Sequence, residues 1–131
     1  MDRDKLVELY KKYELEKEDV FKHQHYVIIT RQGIEKIAAK ENITIKYEVI
    51  RCEAKFAVMK ANAYISTKPN TIIETFGSAL KGDNYKDGNC NSWYVAEMAE
   101  KRALSRAVLK LTGFYQLGVF SEDESDDFKR K

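Results

Sequence analysis

The stretch from residue 43 to 80 constrains the fold of this chain most. ITIKYEVIRCE alternates, with Ile43, Ile45, Tyr47 and Val49 pointing one way and Thr44, Lys46 and Glu48 the other. A period of two marks a strand half-buried on one face. KFAVMKANAYIS, 55 to 66, is strand-like and is its natural hairpin partner. TKPN, 67 to 70, holds the only proline and reads as a turn, and TIIETFGSAL, 71 to 80, gives a third strand with an irregularity expected at Gly77. Three consecutive strands with short connections imply an antiparallel meander rather than a doubly wound sheet.

A meander with one apolar face needs a cover, and the sequence supplies one. VAEMAEKRALSRAVLKLTGFYQLG, from 95 to 118, is the longest helical signal. At 100° per residue, Ala96, Ala99, Ala103, Leu104, Ala107, Val108 and Leu111 share one broad arc. Four alanines there permit close approach to a sheet. The helix is expected from about Tyr94 to Thr112, with Gly113 ending it. The expected fold class is therefore α+β, a single domain over 1–131 with a β-β-β-α core and short N-terminal helices.

The remaining segments are briefer. Leu6, Val7, Leu9, Tyr10 and Tyr13 sit at helical spacing near the N-terminus. ELEKEDVFKHQH, 14 to 25, reads as a polar connector, and YVIIT as a short apolar run. Thr30 is a candidate N-cap for a helix built on Ile34, Ile37 and Ala38 and ending near Asn42. KGDNYKDGNCNS, 81 to 92, is a long polar loop, and 121 to 131 is an acidic run, SEDESDD, followed by a basic end, read together as a flexible tail.

Composition excludes several classes. A formal net charge of +2 over 131 residues does not announce a nucleic-acid binder, so any basic surface must come from local segregation. The two cysteines, Cys52 and Cys90, form no CxxC, which leaves free thiols in a reducing compartment as the expectation. No run is long enough to span a membrane, and the charged N-terminus is no secretory signal, so a cytoplasmic protein is expected. His23 and His25 could share a strand face, but two ligands do not make a metal site. No nucleophile stands beside an evident base, and no phosphate-binding glycine loop follows a strand. A non-enzyme without metal or cofactor is expected.

Two features carry charge chemistry. Arg102, Arg106 and Lys110 are each four residues apart, which sets them about 6 Å apart along one edge of the alanine arc. Such a row can track a nucleic-acid backbone without reading sequence, or it can simply solvate a helix face. Basic and aromatic residues also interleave. Lys46, Arg51, Lys55 and Lys60 lie in the strands with Tyr47, Phe56 and Tyr64, and Lys81, Tyr85, Lys86, Trp93 and Tyr94 occupy or flank the loop. Rings beside lysines suit single-strand binding, because any base can stack on a ring, and the loop aromatics are the better stacking candidates. Glu100 falls inside the alanine arc and calls for either the helix dipole or a buried partner.

YVIITRQGIEKIAA, then the strands, then AEMAEKRALSRAVLKLTGFYQLGVFSEDESDD together resemble the ERF-type phage single-strand annealing proteins, within the wider Rad52-like annealing group. The matching positions are Tyr26 to Ala39, Ala99 to Gly113 and Glu122 to Asp127. The resemblance implies ATP-independent binding and annealing of single-stranded DNA in homologous recombination. It also implies a ring or filament of identical subunits and a replication or recombination protein as a further partner. Arg102, Arg106, Lys110, Lys46, Lys55 and Lys60 are then the backbone contacts, with Lys81, Lys86 and Tyr85 in the loop. The alternative is a non-catalytic interaction or inhibitor module that works through the acidic tail.

Overall fold

A computed structural model of the chain describes residues 3–23, 26–82, 88–90 and 93–124. The first helix, α1, spans Arg3–Lys12, with Leu6 as its buried residue. The expected polar connector is not unstructured. It forms a 3-10 turn over Lys17–Asp19 and a strand, β1 (Val20–His23), which pairs antiparallel with β2 (Tyr26–Ile29). The polar composition of the segment hid the strand, whose apolar content is only Val20 and Phe21. Helix α2 follows over Arg31–Lys40, and the Thr30 hydroxyl accepts a bond from the Gly33 N–H as the expected N-cap.

The meander is present. Strands β3 (Ile43–Cys52), β4 (Phe56–Ile65) and β5 (Ile73–Leu80) form an antiparallel sheet in sequence order. Burial along β4 alternates strictly, with Ala57, Met59, Ala61 and Ala63 buried. These residues and Thr75, Gly77 and Ala79 of β5 face α3 (Val95–Thr112). The irregularity expected at Gly77 is absent, since Met59 and Gly77 pair in unbroken register. Gly77 serves packing instead, because a Cβ there would lie 2.1 Å from the Ala99 carbonyl oxygen and 2.5 Å from the Ala103 nitrogen. The register shift falls in β3, between Val49 and Arg51.

Helix α3 serves two cores. Its N-terminal half lies on the meander with Val95 and Ala99 against Ala57, Met59 and Ala79. Its C-terminal half adds Val108 and Leu109 to a larger cluster with Leu6, Tyr13, Ile29, Ile34, Ile37 and Phe114. Gly113 ends it at φ 89°, in the left-handed region where glycine avoids a Cβ clash. The chain then returns as β6 (Val119–Ser121), parallel to β2, which completes a second three-stranded sheet. The fold is α+β, with the meander and α3 as its larger layer pair. Among the described residues no helix is long and apolar enough to cross a membrane.

Candidate nucleic-acid interface

The basic row on α3 divides. Arg102 is only 5% exposed. Its Nη1 donates to the Ser78 carbonyl at 2.7 Å, its Nη2 to the Asn89 carbonyl at 2.8 Å and its Nε to the Asp123 carbonyl at 3.2 Å. One turn on, Arg106 Nη1 donates to the Phe76 carbonyl at 2.9 Å. Lys110 is exposed, with its ammonium 5.2 Å from the Tyr115 ring centre. The expected row of backbone contacts is thus corrected at Arg102, whose guanidinium is engaged inside the protein.

Geometry explains the four-residue spacing. Residues four apart on a helix rise about 6 Å, and residues two apart on a strand advance about 6.7 Å. Phe76 and Ser78 are two apart on the outer edge of β5, so Arg102 and Arg106 meet their carbonyls in step. The same edge continues at Leu80, whose N–H donates to Asn89 Oδ1 and whose carbonyl accepts from the Cys90 N–H. The arginines and residues 89–90 cap a strand edge that would otherwise be bare.

Glu100 needs no buried partner, since it is exposed. It lies toward β3, where partial burial, and secondarily the Glu100 charge, push the Tyr47 phenol up to about 12.

The acidic run is not free at its start. Glu122 Oε1 accepts from the Arg31 N–H at the head of α2. Asp123 accepts from Arg31 Nη2 at 2.9 Å and from the Ser105 hydroxyl at 3.0 Å. Asp123 is buried, and its contact with Arg31 draws the arginine pKa upward. The expected flexible tail therefore begins no earlier than 125, and residues 125–131 lie outside the described residues.

Among the described residues, no element packs on the face of the meander turned away from α3. That open face carries Phe56, Val58, Lys60, Asn62 and Tyr64 on β4, Glu74, Phe76, Ser78 and Leu80 on β5, and Lys46 and Glu48 on β3. Its middle is polar and internally paired. Lys60 Nζ lies 3.5 Å from Glu48 and 3.1 Å from Glu74, and Asn62 donates to Glu48. Lys60 is thus held between two carboxylates, and Lys46 stands exposed beyond them.

The end of the sheet near the β3–β4 turn has a different character. Trp93, 64% exposed just before α3, has Lys81 Nζ 5.0 Å and Lys55 Nζ 5.9 Å from its ring centre. Tyr94 beside it is 71% exposed. The Lys81 N–H donates to the Lys55 carbonyl, which ties the two lysine-bearing segments together. Phe56 and Leu80 pair across the strands next to them, and the Arg51 guanidinium lies 5.9 Å from the Phe56 ring. Glu53 lies near this end, and it is engaged by Arg51. Lys55 and Lys81 thus meet at Trp93 at this end of the sheet, and Arg51 lies over Phe56 on the adjoining open face.

Of the expected site residues, the structure gathers Lys55 and Lys81 at Trp93. Lys46 and Lys60 lie farther along the open face, and Lys110 lies about 22 Å of helix rise beyond Val95, where α3 begins. Tyr85, Lys86 and His25 lie outside the described residues. Among the described residues, no group of three or more His, Cys, Asp or Glu side chains is placed to hold a metal. The sequence marks Trp93 as a loop-flanking aromatic. The meeting of Lys55 with it, from a hairpin 38 positions earlier, has no local signal. No family model matches the chain, and no curated protein or solved structure matches it significantly.

Proposed function

We propose that the protein binds single-stranded nucleic acid at the Trp93 end of the meander, and that this binding serves strand annealing without ATP. The observation that carries the reading is an exposed tryptophan ring flanked by two lysine ammoniums. Base–aromatic stacking contributes about 1 to 3 kcal/mol per base and tolerates any sequence, while neighbouring cations neutralise phosphates. Trp93 and Tyr94 are the stacking platforms. Lys55 and Lys81 are the backbone contacts at the ring, and Arg51 over Phe56 offers a further cation and ring on the adjoining face. The annealing step rests on the resemblance of the α2 and α3 segments to the ERF-type and Rad52-like proteins, with single-stranded DNA as the ligand and recombination as the setting. An inhibitor role for the acidic tail has less support, because Glu122 and Asp123 are engaged internally.

The experiment is direct because the chain has a single tryptophan. Titrating the protein with oligothymidylate at low salt should quench Trp93 emission. Affinity should fall with salt, with a logarithmic slope of about −1.4 to −2.1 for two to three phosphates. By anisotropy of a labelled oligonucleotide, Trp93→Ala and the Lys55→Gln, Lys81→Gln pair should each weaken binding about tenfold or more. Unchanged emission at saturating oligonucleotide, or unchanged affinity in Trp93→Ala, would overturn the site.

A further inference from the structure

The two edges of the meander differ. The β5 edge is capped by Arg102, Arg106, Asn89 and Cys90. The β3 edge has no neighbouring strand among the described residues. It is ten residues long and exposes Tyr47 (37%), Val49 (63%) and Ile50 (53%). A long, apolar, uncapped edge is a template for another strand. We infer that β3 pairs with β3 of a second copy of this chain, antiparallel about a two-fold axis through Tyr47.

The backbone fixes which residues can pair. Ile43 stands opposite Ile65, and the Ser66 N–H donates to the Asn42 carbonyl. That bond makes Ile43 and Ile65 a non-hydrogen-bonded pair, so Thr44, Lys46 and Glu48 bond inward to β4. Ile45, Tyr47 and Val49 then present their N–H and C=O groups to the open edge. Any axis lying between two residues would set an outward-facing backbone against an inward-facing one, so the axis must pass through a residue.

Side-chain charge then selects the register. An axis through Lys46 sets two ammoniums opposite each other, and an axis through Glu48 sets two carboxylates opposite each other. An axis through Tyr47 sets Lys46 against the second copy's Glu48, and by symmetry Glu48 against the second copy's Lys46. It also sets Ile45 against Val49 twice on the α3 side of the sheet, and these become hydrogen-bonded pairs along with Tyr47 against Tyr47. Opposite charges and apolar pairs across strands are both stabilising, and like charges opposite one another are not. Among the registers that the backbone allows, only this one sets Lys46 against the second copy's Glu48.

The capped β5 edge gives the pairing a limit. Head-to-tail joining of β3 to β5 would extend without end or close into a ring, and the arginines stand where the incoming strand would bond. Isologous β3 pairing closes at two copies. The irregularity at Ile50 ends the pairing region beyond Val49, as bulges on edge strands do. A closed dimer replaces the ring or filament implied by the family resemblance as far as sheet extension is concerned.

The test needs no nucleic acid, so its outcome is independent of the binding function. Sedimentation equilibrium over a micromolar-to-millimolar series should show a monomer–dimer equilibrium. Lys46→Gln removes the attraction, and Lys46→Glu sets a carboxylate against the second copy's Glu48. Lys46 is exposed, so both variants should keep the wild-type circular dichroism spectrum. The dimer dissociation constant should rise in the order wild type, Lys46→Gln, Lys46→Glu, with the last about tenfold or more above wild type. A monomer throughout the series, growth beyond two copies, or a Lys46→Glu dimer no weaker than that of Lys46→Gln would each overturn the inference.

Discussion

Arg102 shows what a basic residue on an apolar helix face can be for. Its planar guanidinium reaches carbonyls on three separate segments, at Ser78, Asn89 and Asp123, which no lysine could do from one position. Replacing it by Gln should leave buried acceptors unpaired and cost about 2 to 4 kcal/mol in urea denaturation, with Arg102→Lys recovering little of the loss. Nucleic-acid affinity per folded molecule should be much less affected than in the Trp93 variant. Arg106, which is more exposed, should tolerate the same change better. The chain itself gives no means of telling the two apart, since both follow the same four-residue spacing, and burial of one depends on residues 24 and 21 positions away.

At the scale of elements, the clasp formed by residues 121–124 joins parts that are distant in sequence. Glu122 completes the head of α2, Asp123 holds Arg31 and Ser105, and its carbonyl receives Arg102. A chain ended after Glu124 keeps these bonds. One ended after Ser121 should melt roughly 5 to 10 °C lower, from the loss of charge-assisted bonds. Equal melting of the two truncated chains, followed by thermal circular dichroism, would refute the clasp. The acidic composition of this segment suggested a solvated tail, because a block of like charge has nothing local to bury. Its docking partners lie up to 92 positions away, a distance that periodicity does not span.

For the whole molecule, pH offers a test of how α2 is held to the turn that precedes β1. Asp19 is buried between the 3-10 turn and α2, where Lys36 Nζ lies 2.6 Å from its Oδ2 and the Glu16 N–H donates to the same oxygen. Burial pushes its pKa up, but Lys36 and the N–H outweigh this and hold it below its usual value. The hydrogen bond to Asp19, opposed by desolvation, raises Lys36 in turn. A lowered carboxylate contributes stability fully above its unfolded pKa and loses it as pH falls through the folded value. A raised ammonium contributes below its unfolded pKa and loses it as pH rises through the folded value. The pair should therefore stabilise a broad middle range. The deficit of Asp19→Asn against wild type should be present near about pH 7 and shrink toward about pH 3, measured by denaturation at each pH. A deficit that grew with acidity would contradict the assignment.

The alternation of 43–66 and the alanine arc of α3 by themselves determined the meander, its buried face and the helix that covers it. Those patterns arise because each strand and helix must bury one face, and that requirement is written at intervals of two and of three to four residues. The same short-range rule located the Thr30 cap and the Gly113 stop. Tertiary structure alone decided that β1 and β6 flank β2, that Arg102 and Arg106 bond to a strand edge, that Lys55 and Lys81 meet at Trp93, and that β3 has no neighbouring strand on its outer edge among the described residues. Each of these depends on which groups a folded backbone brings together across tens of residues. A guanidinium has the same charge in solvent as against a row of carbonyls, and only the packed chain determines which of these it meets.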